Sequence, residues 1–185
     1  ISTPPPPPPT GDIVQRAGYG FGEGATTAST APPGTYQAGD LLVAHVTAVG
    51  ATPIVAPSGW VAATPIVADG TALASCVYTK TAAASEQTAN FSCAGATSLT
   101  AYMTAWQNAA GVTVSGGTAT SGGGTVTLTS PSISGASAKD EILTFAATTA
   151  GPRPYPDAGG VLVGAMDTPT DWSTQAGIAA IETVA

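Results

Sequence analysis

The stretch from Ala38 to Trp60, AGDLLVAHVTAVGATPIVAPSGW, restricts the fold more than any other part of this chain. Leu41, Leu42, Val43, Ala44, Val46 and Val49 form a run too β-branched and too nearly continuous for a strand with one wet face. Gly39-Asp40 before the run and Pro57-Ser58-Gly59 after it supply turn chemistry. A long strand buried on both faces and closed by turns predicts an all-β fold, an antiparallel β-sandwich of jelly-roll or Ig-like type.

The rest of the chain repeats that punctuation. Strands are expected at Asp12–Ala17, Trp60–Val67, Leu99–Asn108, Thr125–Leu128, Glu141–Thr148, Val161–Met166 and Gly177–Val184, with a short segment at Pro53–Ala56. A hairpin is expected from Thr71–Lys80 to Thr88–Cys93 around the polar loop Thr81–Gln87. Ala25–Thr35 reads as a loop and Gly116–Gly124 as a glycine-rich crossover, and helical periodicity is confined to Ala82–Gln87. Asp40-Leu41-Leu42-Val43 has an echo in Asp140-Glu141-Ile142-Leu143, which predicts two similar β units packed face to face.

With 185 residues the chain is sized for one domain, 12–185, behind an extended leader, 1–11. The leader contains Pro4, Pro5, Pro6, Pro7, Pro8 and Pro9 in succession. Such a run makes neither helix nor ladder hydrogen bonds and defaults to a polyproline II rod of roughly 3.1 Å per residue. It reads as a linker or as an assembly strap lying on a neighbouring subunit. The chain shows neither a signal-peptide pattern nor an apolar run long enough for a membrane helix, so membrane insertion is not expected.

Charge narrows the partners further. Arg16, Lys80, Lys139 and Arg153 are the whole basic complement against eleven acids, a net charge of −7. Four scattered cations cannot make a phosphate-neutralising track, so nucleic acid is not an expected partner. Only 8% of residues are charged, which leaves a surface of Thr, Ser, Ala and Gly suited to an extracellular or particle-bound protein.

Catalytic groups are sparse, and no enzymatic activity is expected. His45 is the only histidine and sits in the strongest strand among apolar neighbours, where it reads as a core or interface residue. Ser58 lies in a Pro-Ser-Gly-Trp turn rather than on a nucleophile elbow. The glycine-aromatic alternation Gly18–Gly24, GYGFGEG, lacks the helix and the Lys-Ser/Thr pair of a phosphate loop. Asp167 and Asp171, with Thr168, Thr170 and Asp157, offer oxygen ligands for Ca²⁺ but not the dense spacing of a dedicated calcium loop. No other cofactor or metal is expected. Asn90-Phe91-Ser92 matches a glycosylation sequon within an expected strand.

If the 71–80 and 88–93 strands pair with Lys80 near Ala89, Cys76 falls opposite Cys93 and a cross-strand disulfide fits. Such a bridge would close about 17 residues and stabilise by about 3 kcal/mol. The alternative is two buried thiols. Trp60 and Trp106 follow apolar patterns and belong to the core. The candidate surface-recognition residues are Tyr155 with Arg153 and Asp157 in the Pro-stiffened loop Gly151–Gly160, and then Tyr19 and Phe21 among glycines.

Several segments carry a family resemblance. Ala38–His45, Ala56–Trp60, Val77–Lys80 with Ala84–Glu86, and Ala101-Tyr102 to Gly111-Val112 together resemble a β-sandwich domain recurrent in bacteriophage virion proteins and in prophage-encoded or secreted bacterial proteins. The charged Lys139-Asp140-Glu141 departs from the Gly-Asp-Leu start of the first half. The resemblance implies a non-enzymatic structural part of a virion surface: a tail fibre, head fibre or decoration domain. Its partners would be copies of itself, other virion proteins and a host-surface glycan. The alternative expectation is a secreted carbohydrate-binding module.

Overall fold

The computed structural model describes residues 11–50, 53–63, 66–69, 73–112, 141–148, 161–165 and 176–183. These residues form antiparallel sheets and contain no helix. The strands are β1 (Val14–Gln15), β2 (Gly20–Gly24), β3 (Thr27–Thr30), β4 (Leu41–Val49), β5 (Val61–Ala62), β6 (Val67–Asp69), β7 (Leu73–Thr81), β8 (Ala89–Ser92), β9 (Ser98–Gln107), β10 (Glu141–Thr148), β11 (Val161–Ala165) and β12 (Ala176–Thr183).

β4 is the centre of a seven-stranded sheet. It pairs along its whole length with β7 on one side and β9 on the other. Eight of its nine residues are buried, which is why its sequence is apolar without alternation. One face carries Leu42, Ala44, Val46 and Ala48, flanked by Tyr78, Cys76 and Ala74 on β7 and by Ala105, Met103, Ala101 and Leu99 on β9. Ala28 of β3 and Ala89 and Phe91 of β8 join the same core. The two-stranded β3–β8 sheet therefore closes the main core, and each large side chain fully buried there contributes about 1.5–3 kcal/mol. Phe91 is held between Trp60 and Tyr78, with ring centroids 5.5 Å from each.

The pairing departs from the expected hairpin. β7 pairs with β4, β5 and β6, while β8 pairs with β3 in the other sheet. The register that would have set Cys76 opposite Cys93 is thus not made. Both cysteines are buried thiols of the main core, contributed from opposite layers.

Two segments without a strand assignment in the sequence reading are strands. Ala25–Thr35 contains β3, and the glycine alternation is β2, which pairs with β9 from Gly20↔Met103 to Gly24↔Leu99. The glycines are there because β3 folds back against them. A Cβ on Gly20, Gly22 or Gly24 would lie 1.8, 2.1 or 2.2 Å from the carbonyl oxygen of Ala31, Ser29 or Thr27. Only a residue without a side chain permits that approach.

Both edges of the large sheet are interrupted. Gln15 faces Trp106, so an unbroken register would set Gly18 opposite Met103; Gly20 takes that place, and the edge carries two extra residues. At the other edge Val61 faces Thr79, yet Val67 rather than residue 65 faces Ser75, again a two-residue excess. The expected single strand Trp60–Val67 is therefore split into β5 and β6. Broken edges of this kind blunt indiscriminate strand addition.

β10, β12 and β11 form a separate three-stranded antiparallel sheet with β12 in the middle. Its backbone register runs from Glu141↔Thr183 to Thr148↔Ala176, with an irregularity between Leu162 and Gly164. The echo of β4 in β10 does not extend to position, because β10 pairs with β12 alone among the described strands. The expectations for Pro4–Pro9, Gly116–Gly124, Thr125–Leu128, Arg153, Tyr155, Asp157 and Asp167–Asp171 lie outside the described residues.

Candidate recognition cleft

The interruption between β1 and β2 creates a cleft lined by Gln15, Arg16, Ala17, Gly18, Tyr19 and Tyr102. The last β1-side ladder bond is Arg16 N–H to the Ala105 carbonyl, 2.8 Å. Gly18 then turns the chain at φ +85°, a conformation that favours glycine, and delivers Tyr19 above the sheet. Tyr19 is 56% exposed. Its ring packs on that of Tyr102, centroids 5.2 Å apart and planes tilted by 36°, while Tyr102 is itself buried. Burial, with Tyr19 beside it, pushes the Tyr102 phenol up.

Arg16 forms one wall and is held firmly. Its Nε donates to Asp40 Oδ2 at 2.8 Å, and Nη2 donates to Asp40 Oδ1 at 3.0 Å and Gln37 Oε1 at 3.1 Å. Asp40 also accepts the Gln37 backbone N–H at 2.8 Å. Burial opposes ionisation of Asp40, but the Arg16 hydrogen bonds, the Gln37 N–H and the Arg16 charge outweigh it and hold the carboxyl below its ordinary range. The guanidinium is thereby fixed in place and largely neutralised.

Of the residues singled out in the sequence, the structure brings Tyr19 to this cleft. Phe21 lies on β2 opposite Tyr102 in register, half-buried. Tyr102, Arg16 and Gln15 were not among the candidate surface-recognition residues. Arg16 had one signal, being one of few cations in the chain; Tyr102 had none, since it sits in an apolar run.

The second face of the large sheet is mixed: Leu41, Val43, Val77 and Trp106 form a small buried apolar cluster beside buried polar groups. His45 Nε2 lies 2.6 Å from Ser75 Oγ, Thr47 and Thr100 hydroxyls are 2.6 Å apart, and Trp106 Nε1 donates to Thr104 Oγ1 at 2.8 Å. Desolvation lowers the His45 pKa to about 4, so the imidazole is neutral at pH 7. Ser58 is exposed in the turn closed by Trp60 N–H to the Pro57 carbonyl. Among the described residues no three His, Cys, Asp or Glu side chains gather as a metal site, and no helix is long and apolar enough to cross a membrane.

Lys80 and Glu86 make a second ion pair at 2.6 Å. Glu86 Oε1 also accepts the Ala83 N–H at 2.6 Å, which closes the expected helical-looking loop as a turn. Asn90, the sequon asparagine, is exposed on β8, and its Oδ1 accepts from Ser29 Oγ at 2.6 Å.

Comparison with protein-family models, curated proteins and solved structures finds no match.

Proposed function

We propose that this chain is a non-enzymatic β-sandwich domain of a virion appendage or decoration protein, at the particle surface, that assembles with copies of itself and with other virion proteins. The observation that carries the reading is the centre of the large sheet. β4, β7 and β9 run nine or ten residues in unbroken register, and β4 and β9 are buried on nearly every residue. Such a centre resists local opening, as a displayed structural part requires. Contact functions then fall to the interrupted edges and the loops around them.

A jelly-roll or Ig-like sandwich accommodates the described sheets: β3–β8 covers one face of the large sheet, and the other face is also buried. Solution mass tests the reading. Sedimentation across a concentration series is expected to show self-association, and a chain that stays monomeric throughout overturns the assembly role.

The Tyr19 cleft favours a second reading, a secreted carbohydrate-binding module, because an exposed aromatic beside fixed polar groups suits a sugar ring. A glycan array separates the two: specific binding by a monomeric chain supports the module.

A further inference from the structure

We propose that the Tyr19 cleft is the docking site for the Pro4–Pro9 segment of a second copy of this chain. The inference rests on the self-assembly in the reading above and names its contact.

The cleft has the parts that polyproline recognition needs. Prolines in a polyproline II rod present flat apolar rings and outward-pointing carbonyls that find no partner within the rod. Aromatic-lined grooves with nearby donors bind such rods, whose stiffness means that little conformational entropy is lost on docking. Tyr19 supplies an exposed ring fixed by Tyr102, and its hydroxyl is a donor. Gln15 adds an amide, and Arg16 keeps Nη1 for a carbonyl after Nε and Nη2 are taken by Asp40 and Gln37. Because Asp40 offsets the Arg16 charge, the cleft favours a neutral ligand over an anionic one.

The same chain carries that neutral ligand. Six consecutive prolines span about 19 Å as a rod. They enter the fold at Gly11 and Asp12, where the Asp12 carbonyl accepts Asn108 Nδ2 at the end of β9. The cleft lies at the opposite end of β1. Gly11 precedes β1 and the cleft follows it, and in the self-assembly proposed above the recipient cleft is that of a neighbouring copy.

The test uses the 185-residue chain and a synthetic peptide of residues 1–11. Self-association is expected to weaken at least about tenfold in Tyr19→Ala and in the triple variant Pro5→Gly, Pro7→Gly, Pro9→Gly. Tyr19→Phe, which keeps the ring and removes the donor, should lose less. Added to the triple variant, the peptide should bind saturably, and it should fail to bind when Tyr19→Ala is also present. Self-association unchanged in these variants, with no peptide binding, overturns the docking site and leaves assembly standing. Tyr19-dependent peptide binding by a chain that is always monomeric keeps proline recognition and overturns assembly and docking between copies. A cleft that binds glycans and ignores the peptide overturns the inference in favour of the carbohydrate reading.

Discussion

His45 on β4 and Ser75 on β7 meet diagonally across the sheet, Nε2 to Oγ at 2.6 Å, although Val77 is the residue directly opposite His45. The contact gives a buried imidazole a polar neighbour. His45 is 4% exposed, and neutrality is the form that its surroundings tolerate.

The pH dependence follows in sign and size. The folded pKa of about 4 lies below the ordinary histidine value of 6.5, so the unfolded chain takes up a proton on falling pH before the folded one does. Stability from this group is full above about pH 6.5 and declines down to about pH 4, by about 3 kcal/mol in all. Asp40 and Glu86 are held below their ordinary ranges, so their contributions are lost at lower pH, as the medium becomes acid enough to protonate carboxyls. Urea unfolding at pH 7 and pH 4.5 should show the loss in the native chain and a much flatter response in His45→Gln.

Gly22→Ala should destabilise by about 1–3 kcal/mol, because its Cβ would lie 2.1 Å from the Ser29 carbonyl and β3 must shift. Gly34→Ala meets nothing within 4 Å and should change stability by no more than about 0.5 kcal/mol. Thermal melts of the two variants, side by side, measure the contrast.

Breaking the Arg16–Asp40 pair should cost more than an exposed ion pair does. The side chains are 18% and 5% exposed, so removing Arg16 leaves a poorly solvated carboxylate. Arg16→Met is expected to lower the melting temperature, and a double-mutant cycle with Asp40→Asn to show that the two side chains are coupled.

Cys76 and Cys93 are 1% and 0% exposed, and burial pushes the Cys93 thiol up. Alkylation of the native chain should therefore be very slow. After unfolding without reductant, both residues should be modified, and intact mass should rise by two alkyl groups. A chain that takes up none and is lighter by two hydrogens would mean that the cysteines are joined.

The legible parts of the fold are those where burial alone shapes the sequence. β4 and β9 were plain because nearly every position is apolar or small, and β10, β11 and β12 fall within a residue of their expected limits. β2 was not, because glycine in a strand makes sense only when the backbone above it is known, and here that backbone is β3. The cleft was half legible: Tyr19 stood out among glycines, whereas Tyr102 beneath it and Gln15 and Arg16 beside it come together through the offset of β1 and β2 on β9.

From the amino-acid order alone came an all-β chain with long buried strands and few groups able to do chemistry, since β-branched runs, turn residues and charge are local properties. Which strand each one pairs with was decided in three dimensions. β7 has an apolar row, Ala74, Cys76 and Tyr78, and pairing with β4 sets that row beside Ala48, Val46 and Ala44 in the main core, while its other face is only partly buried. Adjacency to β8 in the chain carries no comparable gain, because hydrogen-bond partners in a sheet are chosen by the surface that the whole sheet buries.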